Sequence, residues 1–171
     1  MKISFELNGS AVSIDTPANM TVLSLLRDQF GLIGTKMGCE VGECGACSVL
    51  IDGKLVNSCM LLAPQINGRS ITTIEGIHDP DGGPNDLQRS LVENGAVQCG
   101  YCTPGMLLSA KALLDENPEP GDEEVKMAIS GNLCRCTGYT KIIRAIQSAA
   151  EKMRKESEGQ PVEKIDREGP E

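Results

Sequence analysis

From Lys2 to Leu7 apolar and polar positions alternate, with Ile3, Phe5 and Leu7 on one side, which is the period of a half-buried strand. Asn8-Gly9 follows, a pair suited to the positive φ angles of a tight turn, and Ala11 to Asp15 resumes the pattern as a second strand. At Thr21 the period lengthens. Val22, Leu25, Leu26 and Phe30 fall on one face of a helix, with Asn19 as the expected cap and Gly31 as the stop. Ser48 to Asp52 and Lys54 to Ser58, joined at Asp52-Gly53, read as a second hairpin, and Ser70 to Ile74 as a last strand. Two hairpins, one crossing helix and the loop from Gly34 to Gly45 make a small α+β unit.

Between Glu75 and Asn85 the composition shifts to Gly76, Pro80, Asp81, Gly82, Gly83 and Pro84, as it does in linkers. Beyond it the period is helical throughout: Asp86 to Asn94, Thr103 to Glu116 with Pro104 in the first turn, Asp122 to Ser130, and Thr140 to about Lys155. Four short helices imply a compact bundle. The expected divisions are residues 1–76 for the first unit, 77–84 for the linker, 85–155 for the bundle and 156–171 for a charged tail. That tail offers only Val162 and Ile165 for burial, so it is expected to be mobile or to lie on a partner.

Composition narrows the function. The chain has 171 residues, and two small units of this size bury little surface each, so metal centres would supply missing stability. Two Phe, two Tyr and no Trp leave little to stack on bases, and a net charge of −8 repels phosphate backbones and anionic membrane surfaces. No nucleic acid and no membrane are expected as partners. Met1 to Leu7 lacks the basic start and apolar run of a signal peptide, and no stretch approaches the roughly 20 apolar residues of a membrane span. A cytoplasmic protein is expected, and there thiols serve as metal ligands rather than disulfides.

The eight cysteines form two sets of unlike spacing. Cys39, Cys44, Cys47 and the distant Cys59 have the plant-type ferredoxin spacing of a [2Fe-2S] ligand set. Gly38, Gly42 and Gly45 beside them let the chain wrap an anionic cluster closely, and the small Ala46 leaves it room. A zinc site usually pairs two close cysteines with another close pair, which this set does not. In the second set, Cys99 and Cys102 precede the helix start at Thr103-Pro104-Gly105, and Cys134 and Cys136 precede that at Thr137-Gly138-Tyr139. The positive end of a helix dipole lowers thiol pKa values and favours an anion. Here spacing favours iron–sulfur but leaves zinc open, since Cys99-Gly100-Tyr101-Cys102 alone looks like half of a zinc site.

These motifs together resemble the small iron–sulfur subunit of the molybdenum hydroxylases, the xanthine oxidase family. The resemblance is carried by Lys36 to Cys47, by Gln98-Cys99-Gly100-Tyr101-Cys102-Thr103-Pro104-Gly105, and by Gly131-Asn132-Leu133-Cys134-Arg135-Cys136-Thr137-Gly138-Tyr139, within a match over about residues 2 to 153. It implies a β-grasp, ferredoxin-like domain followed by an all-α four-helix domain, each with a [2Fe-2S] cluster held by one cysteine set. It further implies that Gln98 contacts the pterin of the molybdenum cofactor. Position alone would make Gln98 an ordinary solvated glutamine.

The family reaction hydroxylates an aldehyde or aromatic heterocycle with oxygen from water. The resemblance implies that the two electrons released then leave singly, from molybdenum through the helical-domain cluster and the ferredoxin-like cluster to FAD. The implied partners are a molybdenum-binding large subunit and an FAD-binding medium subunit in a heterotrimer, with a dimer of heterotrimers as a further form. No catalytic residue is expected on this chain, and its one histidine, His78, reads as a solvated linker residue. A free two-cluster ferredoxin-type carrier is the alternative function.

Overall fold

The computed structural model of the protein describes residues 1–159; the expected tail lies outside the described residues from position 160 onward. Five strands, β1 (Lys2–Leu7), β2 (Ser10–Asp15), β3 (Ser48–Ile51), β4 (Lys54–Asn57) and β5 (Ser70–Thr72), form one mixed sheet in the order β2-β1-β5-β3-β4. β1 pairs antiparallel with β2 and parallel with β5, while β3 pairs antiparallel with both β5 and β4. Both hairpins turn as their sequences predict, with Asn8 and Gly9 at φ +50° and +80°.

The alternation of β1 is realised residue by residue. Ile3, Phe5 and Leu7 are buried and the residues between them exposed. They pack on Val22, Leu25, Leu26, Val49, Ile51, Ile66 and Ile71, and each such side chain contributes about 1.5–3 kcal/mol by leaving water. Phe5 and Phe30 meet edge to face, with ring centroids 5.9 Å apart and planes at 85°. The crossing helix begins as α1 (Val22–Ser24) and continues as a π-helical stretch, Leu25–Gln29. Its cap is Thr21, whose hydroxyl accepts from the Ser24 N–H at 3.1 Å, rather than the expected Asn19.

The second half holds α2 (Asp86–Glu93), α3 (Thr103–Glu116), α4 (Asp122–Ile129) and α5 (Thr140–Ser157). α2 starts with a reciprocal cap: Asn85 accepts from the Gln88 N–H at 2.9 Å and Gln88 accepts from the Asn85 N–H at 2.8 Å. Leu87, Leu91, Met106, Leu107, Val125, Ile129, Ile142 and Ile146 form the core of the bundle. α5 extends to Ser157, so Glu156 and Ser157, expected in the tail, are its last residues.

α3 lies across the sheet face opposite α1, which is why all four residues of β3 are buried. Leu108 of α3 packs there on Leu50 and on Ile77. Ile77 stands at the head of the segment expected to be a linker, yet it is 4% exposed, and its carbonyl accepts from Gln88 Nε2 at 3.0 Å. The two units therefore share a small apolar core of their own.

Candidate metal centres

All eight cysteines are free thiols. They meet in pairs. Cys39 and Cys44 lie together in the first loop, where the Cys39 N–H donates to Cys44 Sγ at 3.4 Å. Cys47 and Cys59, just before β3 and just after β4, are buried together with Leu23. In the bundle Cys99 and Cys136 stand 3.5 Å apart, sulfur to sulfur, and the Cys102 thiol lies against that of Cys134. Among the described residues no three cysteine, histidine or acidic side chains converge as ligands of one metal ion. Four pairs rather than two convergent foursomes suit a dinuclear centre, to which each pair would supply two thiolates.

The first loop is shaped for a negatively charged guest. The Val41 and Glu43 N–H groups donate to Cys39 Sγ at 3.5 and 3.3 Å. They and Cys44 bring the Cys39 thiol down to about 7. Glu40 adopts the left-handed conformation at φ +58°, a strain of the kind that folded proteins keep at functional sites. Glycine at position 38 is required by space, since a Cβ there would lie 2.6 Å from Cys44 Sγ. Burial, with Cys47 alongside, pushes the Cys59 thiol up to about 11. Bound metal overrides such a rise because a coordinating thiol is deprotonated outright.

The second site divides into an outer and an inner edge. Cys99 and Cys136 are exposed, and so is Gln98 beside them, whereas Cys102 and Cys134 pack against the bundle core. Burial pushes the Cys102 thiol up to about 12. Cys134 is also raised by burial, but the Thr137 hydroxyl and backbone hold it below the ordinary thiol value. Cys102 caps α3, and the Met106 N–H donates to its carbonyl at 3.0 Å. The other helix start differs from expectation. α5 begins at Thr140 after Tyr139 at φ +68°, so Cys134 and Cys136 sit in the preceding turn rather than against the first helical N–H groups. The Tyr139 hydroxyl braces that turn, accepting from the Cys134 N–H at 2.9 Å and donating to the Asn132 carbonyl at 3.3 Å.

Sequence reading missed the contacts between the two loops. The Leu133 N–H donates to the Cys44 carbonyl at 2.9 Å, and the Asn132 side chain donates to the Gly45 carbonyl at 2.9 Å. The Tyr101 hydroxyl donates to the Met37 carbonyl. The glycine at 45 was the available signal: at φ +67°, a Cβ there would lie 2.4 Å from the Gly131 carbonyl oxygen. His78 is exposed, with Nδ1 2.8 Å from the Asp79 carbonyl, and no described helix is long and apolar enough to cross a membrane.

Residues 5–69 match the family model of a 2Fe-2S iron-sulfur cluster binding domain, and residues 73–147 that of a [2Fe-2S] binding domain. The chain is 55% identical over 150 residues to the nicotinate dehydrogenase small FeS subunit of Eubacterium barkeri, covering 88% of this chain and 95% of that relative. It is 47% identical over 149 residues to the nicotine 6-hydroxylase small subunit of Paenarthrobacter nicotinovorans, covering 87% and 89%. Quinoline 2-oxidoreductase from Pseudomonas putida 86 superposes with a TM-score of 0.86 at 46% identity, over 91% of this chain and 96% of that chain. The chain belongs to the small iron–sulfur subunits of the molybdenum hydroxylase family, and its role is electron transfer within a multi-subunit oxidoreductase.

Proposed function

We propose that this chain relays electrons one at a time from a molybdenum–pterin centre on a large subunit to FAD on a medium subunit, in a cytoplasmic heterotrimer. The observation that carries the reading is the pairing of all eight thiols into two sets joined by a backbone hydrogen bond, Leu133 N–H to Cys44 carbonyl. A [2Fe-2S] group, when bound, supplies one-electron chemistry. Everything else falls to the chain.

Cys39 with Cys44 and Cys47 with Cys59 would hold the two irons of the first centre; Cys99 with Cys136 and Cys102 with Cys134 would hold those of the second. The exposed edge formed by Gln98, Cys99 and Cys136 is the entry side, where the Gln98 amide would meet the pterin. The inner edge, Cys102 and Cys134, faces the first unit through Leu133. Exit is at the first loop, whose rim carries exposed Val41 and Met60, an apolar border suited to a partner subunit. The N–H groups on Cys39 Sγ and the burial of Cys47 and Cys59 set that centre's surroundings apart from those of the more open bundle site.

The three relatives are named for nicotinate, nicotine and quinoline, which supports a nitrogen heteroaromatic substrate for the assembled enzyme. The test is isolation of the native complex. Co-purification with molybdopterin-containing and flavin-containing subunits, and substrate-dependent reduction of both iron–sulfur signals, is the expected result. A chain that purifies alone as a stable monomer and exchanges electrons with free carriers would replace this reading with that of a diffusing ferredoxin.

A further inference from the structure

Asn132 is 2% exposed, at the seam of the two units, and its side chain is fully engaged. Oδ1 accepts from the Ser109 hydroxyl of α3 at 2.5 Å, while Nδ2 donates to the Gly45 carbonyl at 2.9 Å and reaches Ser48 Oγ at 3.4 Å. A carbonyl can only accept and Ser109 has a hydroxyl to give, so the amide has one self-consistent orientation. The Gly45 carbonyl also accepts from Ser48, at 3.1 Å from its N–H and 2.7 Å from its hydroxyl. Asn132 thus bolts a residue next to Cys44 to a residue two before Cys134. The site is tight as well: a Cβ at Gly105 would lie 2.4 Å from the Gly45 carbonyl oxygen and 2.7 Å from Asn132 Nδ2.

We propose that Asn132 is a positioning residue for electron transfer between the two cysteine sets, its side chain fixing the distance and alignment of the Cys44 and Cys134 loops. It touches no thiol. Its amide holds the Gly45 peptide, and that in turn keeps the preceding Cys44 carbonyl on the Leu133 N–H. The bonded route is then short: from Cys134 through its backbone to the Leu133 N–H, across one hydrogen bond to the Cys44 carbonyl, and on to the Cys44 thiolate. One electron leaves the bundle side and one arrives at the loop side, with no atom or proton transferred. A buried amide suits the task because an unmet donor or acceptor at this depth is costly, so the two loops have one satisfied arrangement.

The inference rests on the proposed two-centre relay, and the experiment separates the two. Wild-type complex and the variants Asn132→Asp and Ser109→Ala are reduced fully, and the magnetic coupling between their two paramagnetic centres is read from low-temperature electron paramagnetic resonance, with iron content and freeze-quenched transfer between the centres. Asn132→Asp sets a carboxylate oxygen against the Gly45 carbonyl and removes the donor. It should retain both signals and full iron, lose the splitting that the coupling produces, and transfer electrons between centres more slowly than wild type. Ser109→Ala should do the same to a smaller degree, and it decides the matter if Asn132→Asp yields no folded chain. The control is Ser90→Ala, which removes a buried bond to the Ala145 carbonyl at 2.7 Å away from the seam, and which should lower thermal stability while leaving the splitting intact. Wild-type splitting and transfer rate in the Asn132 or Ser109 variant would overturn the inference. Absence of two coupled centres in the wild type would instead overturn the relay itself.

Discussion

The Leu133 N–H sits 2.9 Å from the carbonyl oxygen of Cys44, a bond that spans nearly ninety positions of chain and ties one thiol-bearing loop to the other. Neither residue could make it without close approach of the backbones. Glycine at 45 provides that approach, because its hydrogen lies where a Cβ would collide with the Gly131 carbonyl oxygen. The consequence is that the two thiol-bearing loops are held against each other by backbone.

Replacing that glycine tests the seam. Gly45→Ala introduces a side chain at φ +67° and at 2.4 Å from backbone. The strain alone costs about 1–3 kcal/mol, and relief requires the loops to part. The expected outcome is a lower melting temperature of the intact complex, with faster amide exchange at Leu133 than at residues of the bundle core.

The ligand sets should be separable. Cys136→Ser should abolish one iron–sulfur signal and leave the other, and Cys44→Ser should do the reverse, because the two sets lie in different units and share no thiol. Survival of both signals in either variant would refute the assignment. Iron content measured alongside should fall by about half in each case.

The apolar contact between the units should resist truncation less well than its size suggests. Leu108 is 1% exposed between Leu50 and Ile77, so Leu108→Ala leaves a cavity that both units line. A loss of about 2–5 kcal/mol is expected from chemical denaturation.

Acid should loosen the second unit through Asp86. Burial raises its carboxyl, but hydrogen bonds from Lys152 and Arg89 outweigh that and hold it below 3.8. A carboxylate whose folded value is depressed contributes stability above its unfolded value and loses it as pH falls through the folded one. Asp86→Asn should therefore cost about 1–2 kcal/mol at neutral pH, with the difference from wild type shrinking below the ordinary aspartate value of 3.8. Thermal melts across that range check the sign.

Much of this architecture is legible in local pattern. The alternation of Ile3, Phe5 and Leu7 becomes a strand with those residues inside, and Pro104 opens α3 at the expected place. Such signals depend on neighbours in sequence. The helix after the first hairpin is legible, but its cap is not: Asn19 and Thr21 are both good cap residues, and only the backbone path, with the Val22 N–H bonded to the Leu61 carbonyl, selects Thr21. The π-helical stretch has no local signature either. The thiol sets are visible because ligand spacing and flanking glycines lie close along the chain. Asn132 stands out in sequence only as part of a motif, since its partners Ser109, Ser48 and Gly45 are brought to it by docking of α3 on the sheet. Ile77 is hidden for the same reason, an apolar residue at the edge of a Gly- and Pro-rich run whose burial depends on Leu50 and Leu108.

The most direct test is metal analysis of anaerobically isolated protein together with its spectrum on stepwise reduction. A relay built on four thiol pairs predicts about four irons and four acid-labile sulfides per chain, and two distinct one-electron signals that appear in turn. A colourless chain with stoichiometric zinc, or one with iron for a single centre, would contradict it.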